Sequence, residues 1–96
     1  MNYTNDLINQ LKAAIVAVLT EMRIEISENR IILERPKSSD HGDYACNIAM
    51  QLARELKQNP REIAVQVTDK LAGHKLVKTA EVAGPGFVNI FLSDEC

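Results

Sequence analysis

The stretch AEVAGPGFVNIFL, residues 80–92, decides the fold. It reads as a strand, a Gly84-Pro85-Gly86 turn and a second strand. A phosphate-binding cradle needs a longer glycine pattern that opens a helix, and this turn opens a strand. The turn is therefore a hairpin connection, or a place where small residues let another backbone approach. Side chains alternate across a sheet. If Val88, Ile90 and Leu92 face a core, then Phe87, Asn89 and Phe91 face away from it. Two aromatic rings around one amide on a helix-free face match how sheets read single-stranded RNA: a ring stacks on an unpaired base and an amide bonds its edge. The same face would equally suit packing on another domain or a partner.

Working outward, residues 77–82 form the strand before the turn and 87–92 the strand after it. Upstream, the Asn59-Pro60-Arg61-Glu62 run starts a helix: Asn59 is a suitable N-cap, Pro60 fits the first helical position, and Glu62 completes a capping-box-like pattern. Ile63, Ala64, Val67 and Leu71 give its apolar stripe, and Gly73 marks its end. A preceding helix is expected over about 44–57, with Ala45, Ile48, Ala49, Leu52, Ala53 and Leu56 as its buried stripe and Asp43 as its cap. The KSSDHGD segment, 37–43, is loop-like. Ile24 and Ile26 alternate with charged residues, and after the turn-like Ser27-Glu28-Asn29 Ile31 and Leu33 alternate with Arg30, Ile32 and Glu34, which predicts a hairpin over 24–34 ended by Pro36. The first helix is expected over about 6–22, capped by Thr4 or Asn5, with Leu7, Ile8, Leu11, Ile15, Val18, Leu19 and Met22 on one side. The order α-β-β-α-α-β-β predicts an α+β two-layer sandwich: a four-stranded antiparallel sheet with helices on one face.

The chain has 96 residues, the size of a single domain with a modest core, and its 46% hydrophobic and 25% charged residues are those of a globular protein. Its net charge of -2 is unlike a domain that coats nucleic acid through phosphates. Any nucleic-acid contact must be local, or shared with a larger body. Two cysteines, Cys46 and Cys96, make neither a zinc pattern nor a disulfide framework, so a reduced cytoplasmic setting is expected. The start has no signal-peptide pattern, and no apolar run nears the ~18 residues of a membrane span. No metal site is expected.

His41, Asp43 and Cys46 lie close in sequence. A nucleophilic site would also need an oxyanion site and a pocket; a loop histidine and a buried small cysteine is the simpler reading. His74, Lys75 and Lys78 follow the third helix, where positive groups complement the helix dipole. A phosphate site is the alternative for them.

HGDYACNIAMQLARELKQNPREIA, residues 41–64, followed by AEVAGPGFVNIFLSDE, 80–95, resembles the N-terminal additional domain of the arginyl-tRNA synthetase family. The likeness runs from the first helix to the last strand. It is most specific in Gly42-Asp43-Tyr44-Ala45 with Asn47, in Asn59–Ala64, and in Ala83–Phe87. It implies that residues 1–96 are a single domain of a larger, cytoplasmic class I synthetase that uses ATP, with magnesium, to attach arginine to its tRNA. The class I His-Ile-Gly-His and Lys-Met-Ser-Lys-Ser type motifs are absent from this stretch, as are nucleotide-binding and anticodon-binding domains. The fragment is thus expected to be monomeric, to bind no cofactor and to have no catalysis of its own.

The resemblance also implies contact with the D-loop at the outer corner of the tRNA. Phe87 and Asn89 match the aromatic and amide positions that touch a D-loop base, and Gly84, Pro85 and Gly86 lie where a further contact would come from. Tyr44 and Phe91 are weaker candidates; Tyr44 packs, or points its hydroxyl toward RNA. Gly42, Asp43, Asn47 and Asn59 are expected as loop and cap residues, with Asn47 bracing the loop. The alternative is a structural domain that packs on the synthetase body and orients it without base contact.

Overall fold

A computed structural model describes residues 3–93; Cys96 lies outside the described residues. The chain runs through α1 (Tyr3–Glu21), β1 (Leu33–Glu34), β2 (Tyr44–Cys46), α2 (Ile48–Leu56), α3 (Pro60–Leu71), β3 (Val77–Ala83) and β4 (Phe87–Leu92), with single 3-10 turns at Glu28–Arg30 and Ser39–His41. The strands form one antiparallel sheet in the order β1-β2-β4-β3. The helices pack together on one side: α3 against β3 and β4, α2 against α3 and β4, and α1 against α3. The fold class and element order are those expected, yet two elements arise from other residues than expected.

The hairpin over residues 24–34 does not form. Arg23 adopts a left-handed conformation (φ 66°), and the Ile24 N–H returns to the Leu19 carbonyl at 2.8 Å, which closes α1 with the 6→1 bond of a Schellman turn. Ile24 and Ile26 are half-buried against the core but join no strand. Only Leu33 and Glu34 enter the sheet, opposite Cys46 and Ala45. The second correction follows from the first. Residues 44–46 are a strand, not the first turn of a helix, and Asn47, not Asp43, stands at the N-cap position of α2. Apolar spacing fits helix and strand equally over so few residues; pairing with β4 decides it. The helix α1 begins at Tyr3, so Thr4 and Asn5 lie inside it rather than before it.

β4 is one of the two interior strands. It pairs with β3 through the turn and with β2 across more than forty residues of sequence: Tyr44 opposite Ile90, Ala45 opposite Asn89, Cys46 opposite Val88. Its core-side residues Val88 and Ile90 are fully buried and Leu92 packs on the cluster. Leu11, Ile15 and Leu19 of α1, Ile48 and Leu52 of α2, and Ile63, Val67 and Leu71 of α3 complete that core. Each such side chain contributes about 1.5–3 kcal/mol on burial. Leu56, expected on the α2 stripe, is 40% exposed at the helix end. Asn59 caps α3: its Oδ1 accepts the N–H groups of Arg61 at 2.8 Å and Glu62 at 3.3 Å, and Pro60 follows at N1.

Candidate nucleic-acid interface

The pairing register sorts the sheet into two faces. Opposite residues share a face, so Phe87, Asn89 and Phe91 lie with Ala83, Glu81 and Thr79 of β3 and with Ala45 of β2 on the helix-free side. Phe87 is 40% exposed at the turn end of the strand, and Phe91 is half-buried at the other end. Asn89 sits between them and is only 7% exposed. Its side chain makes no hydrogen bond to any described residue, yet among the described residues no buried side-chain polar atom is left sealed without a partner. The amide therefore keeps its polar atoms in reach of solvent from a recess between two aromatic residues. A side chain held this way is rotationally restricted and still has donor and acceptor capacity to offer.

The face is not basic. Glu34 and Glu81 lie on it, and both are exposed. What it presents is a ring surface and an amide, which suits base stacking and edge recognition rather than phosphate binding.

The Gly84–Gly86 turn is seated rather than free. Gly86 is buried with φ 151°, and a Cβ there would come within 3.0 Å of Pro60 Cβ and 3.1 Å of Met50 Cγ. Glycine suits this position because its φ is positive and the turn lies against Met50 near the start of α2 and Pro60 at the start of α3. Arg61 Nη1 donates to the Gly84 carbonyl and ties the other end of the turn to the same helix. Close approach does occur at this turn, but within the domain.

Tyr44 is not on this face. It is 2% exposed on the helix side, opposite Ile90, and the Arg35 guanidinium lies 5.3 Å from its ring centroid. Such a cation over an aromatic ring adds modest attraction. The ring cannot stack on a base from there. Ala45, read from the sequence as a helix-stripe residue, is the β2 residue that flanks Asn89 instead.

The loop before β2 is clamped to the end of β4. Gly42 has φ 94° and is buried so closely against β4 that a Cβ would lie 2.8 Å from the Ile90 carbonyl oxygen. The Asp43 N–H donates to that oxygen at 2.8 Å, and the Asp43 Oδ2 accepts the Leu92 N–H at 2.8 Å. Asp43 is thus a clamp on the sheet and not a helix cap. Asn47 accepts from Gln51 Nε2 at 3.0 Å, within its own helix, instead of bracing the loop.

The other sequence candidates do not assemble. Cys46 is a free thiol 2% exposed in β2, and burial pushes its pKa up, the opposite of an activated nucleophile. His41 is exposed in a 3-10 turn, while Asp43 is engaged with β4. His74 Nδ1 accepts the Leu76 N–H at 3.1 Å, which serves the chain reversal after α3. No group of three or more metal-ligating side chains exists among the described residues. No helix among them is long and apolar enough to cross a membrane.

Residues 9–92 match the family described as the arginyl tRNA synthetase N terminal domain. The chain belongs to that family. Arginyl-tRNA synthetase relatives agree with the assignment. The arginine–tRNA ligase of Listeria welshimeri is 46% identical over 89 residues, covering 92% of this chain and 16% of that ligase. That of Dechloromonas aromatica is 47% identical over 87 residues, covering 91% of this chain and 15% of that ligase. The solved Thermus thermophilus arginyl-tRNA synthetase superposes with a TM-score of 0.72 at 30% identity, covering 90% of this chain and 14% of that one. The chain thus spans about one sixth of the length of the ligases it matches.

Within this arginyl-tRNA synthetase domain, the residue that reading the sequence missed is Arg61. It was legible only as part of a helix start, because its partner Gly84 is 23 residues away and no periodicity links them.

Proposed function

We propose that this domain is a tRNA-contacting appendage of an arginine–tRNA ligase. The Phe87 ring stacks on an exposed base of the D-loop at the outer corner of the tRNA for arginine, and the Asn89 amide bonds that base's edge. One observation carries the reading: an amide with no hydrogen-bond partner among the described residues is held in a recess beside an exposed ring on a helix-free sheet face. The parent enzyme, a cytoplasmic protein, joins arginine to tRNA with ATP and magnesium in a catalytic body outside residues 1–96. The domain itself supplies no catalytic group and holds no cofactor.

One or two stacked bases and one amide bond give about 3–5 kcal/mol, taking ~1–3 per stacked base. That corresponds to a dissociation constant near millimolar. With a net charge of -2, the domain gains little from counterion release. Tethering to the body raises the effective concentration and makes so weak a contact useful. In the full-length ligase, Phe87→Ala is expected to lower tRNA affinity and leave the binding of ATP and arginine intact. Unchanged tRNA affinity in a folded variant would sink base contact and leave the domain an orienting module packed on the body. NMR shift mapping on tRNA addition separates the two: shifts at Phe87, Asn89 and Gly84–Gly86 mark RNA, and silence marks packing.

A further inference from the structure

We propose that Arg61 is a positioning residue for this contact, one that sets the Phe87 ring through the Gly84-Pro85-Gly86 turn without itself touching RNA. The inference rests on the reading above, in which Phe87 stacks on a base.

A turn with two glycines around one proline is a loose support. Gly84 (φ 54°) and Gly86 (φ 151°) both occupy conformations that glycine enters freely, and Gly84 and Pro85 are exposed. Left to itself, such a turn would let the first residue of β4 sample several orientations. Phe87 is that residue. Its ring lies beside the turn: a Cβ added to Gly84 would come 3.8 Å from Phe87 Cδ2. Whatever fixes Gly84 therefore fixes the backbone beside which the ring lies.

Two consecutive residues of α3 hold the two ends of the turn. Pro60 stops the Gly86 end by contact, and Arg61 holds the Gly84 end by the bond from Nη1 to its carbonyl. Arg61 is itself well placed for this. Asn59 Oδ1 binds the Arg61 N–H at 2.8 Å and so fixes where the helix starts and where the Arg61 side chain leaves it. A planar guanidinium then reaches a carbonyl with a directional donor, which a flexible ammonium reproduces less well. The sequence Asn59-Pro60-Arg61 thus serves twice, as a helix start and as a cradle for the turn that presents Phe87.

The competing role is direct: the donors of Arg61 not used on Gly84 could bind a tRNA phosphate. The two roles differ in salt dependence, since each lost phosphate contact lowers the slope of log affinity against log salt by about one. They also differ in coupling to Phe87.

The test is a double-mutant cycle on tRNA affinity in the full-length ligase, with Phe87→Ala, Arg61→Met and the double variant, each measured across a salt series. Arg61→Met is expected to weaken tRNA binding about three- to tenfold, and to have almost no effect once Phe87 is already alanine. The salt slope should stay unchanged, Arg61→Lys should recover part of the affinity, and the Phe87 ring resonances should move in Arg61→Met. Equal losses with and without Phe87, or a slope lower by about one, would overturn positioning in favour of a phosphate contact. Loss in Phe87→Ala with none in Arg61→Met would overturn it while the stacking reading stands. No loss in Phe87→Ala would overturn the stacking reading itself, and positioning with it.

Discussion

The Asp43 carboxylate accepts the backbone N–H of Leu92 at 2.8 Å, across 49 residues of sequence. The Asp43 N–H returns the connection to the Ile90 carbonyl, also at 2.8 Å. One residue thus closes the loop before β2 onto the end of β4. Asp43→Ala should lower stability by about 1–3 kcal/mol, the range for a bond to a charged group and its stranded partner. Urea denaturation would show the midpoint falling with the slope unchanged. A midpoint within error of the parent would mean that water replaces the carboxylate at no cost.

Gly42→Ala should be at least as damaging. The conformation at φ 94° is strained for any L side chain, and the added carbon would meet the Ile90 carbonyl at 2.8 Å. The backbone strain alone is worth about 1–3 kcal/mol. Loss of protection from hydrogen exchange at Asp43, ahead of the α3 amides, would locate the damage at this clamp.

Asn59→Ala removes the acceptor for two N–H groups at the start of α3. A cost of about 1 kcal/mol is expected in thermal or urea unfolding. Asn59→Asp should recover most of it, because aspartate accepts the same bonds and adds a favourable charge at the helix N-terminus. A null effect for both variants would show that Pro60 alone sets the helix start.

Cys46 should resist alkylation in the folded protein and react fully on unfolding, which mass spectrometry of its peptide would read. Burial raises the folded thiol's pKa. Its contribution to stability is therefore full below the unfolded thiol's pKa, about 8.5, and is lost as pH rises through the folded one. Relative to Cys46→Val, the parent should lose stability progressively in that alkaline range. Equal pH profiles for the two proteins would count against the burial effect.

Asn89→Ala separates recognition from folding. The side chain has no hydrogen bond within the described residues, so its removal should change stability by under about 1 kcal/mol. The same change should weaken tRNA binding by the full-length ligase. A large loss of stability would instead assign the amide a structural role.

Much of this architecture was readable from residue pattern alone. The spacing of Ile63, Ala64, Val67 and Leu71, with Asn59 and Pro60 before it, defines α3 because capping chemistry and periodicity are both local. The alternation in β4 places Val88 and Ile90 inside and Phe87 outside for the same reason. The errors lie where local signals compete. Tyr44, Ala45 and Cys46 suit either a helix or a strand. Ile24 and Ile26 look like a strand, but the reversal at Arg23 folds Ile24 back onto α1.

By itself, then, the sequence determined the α+β class, the helices α1 and α3, the hairpin of β3 and β4, and which residues of β4 face the core, because these follow from periods of 3.6 and 2.0 residues and from turn and cap chemistry. Tertiary structure alone decided that β2 is a strand beside β4, that Tyr44 is buried away from the helix-free face, that Asp43 clamps Leu92, and that Arg61 holds Gly84. Each of these joins groups far apart in the chain. Their energy is realised only when the backbone brings the partners together, so no local pattern records them.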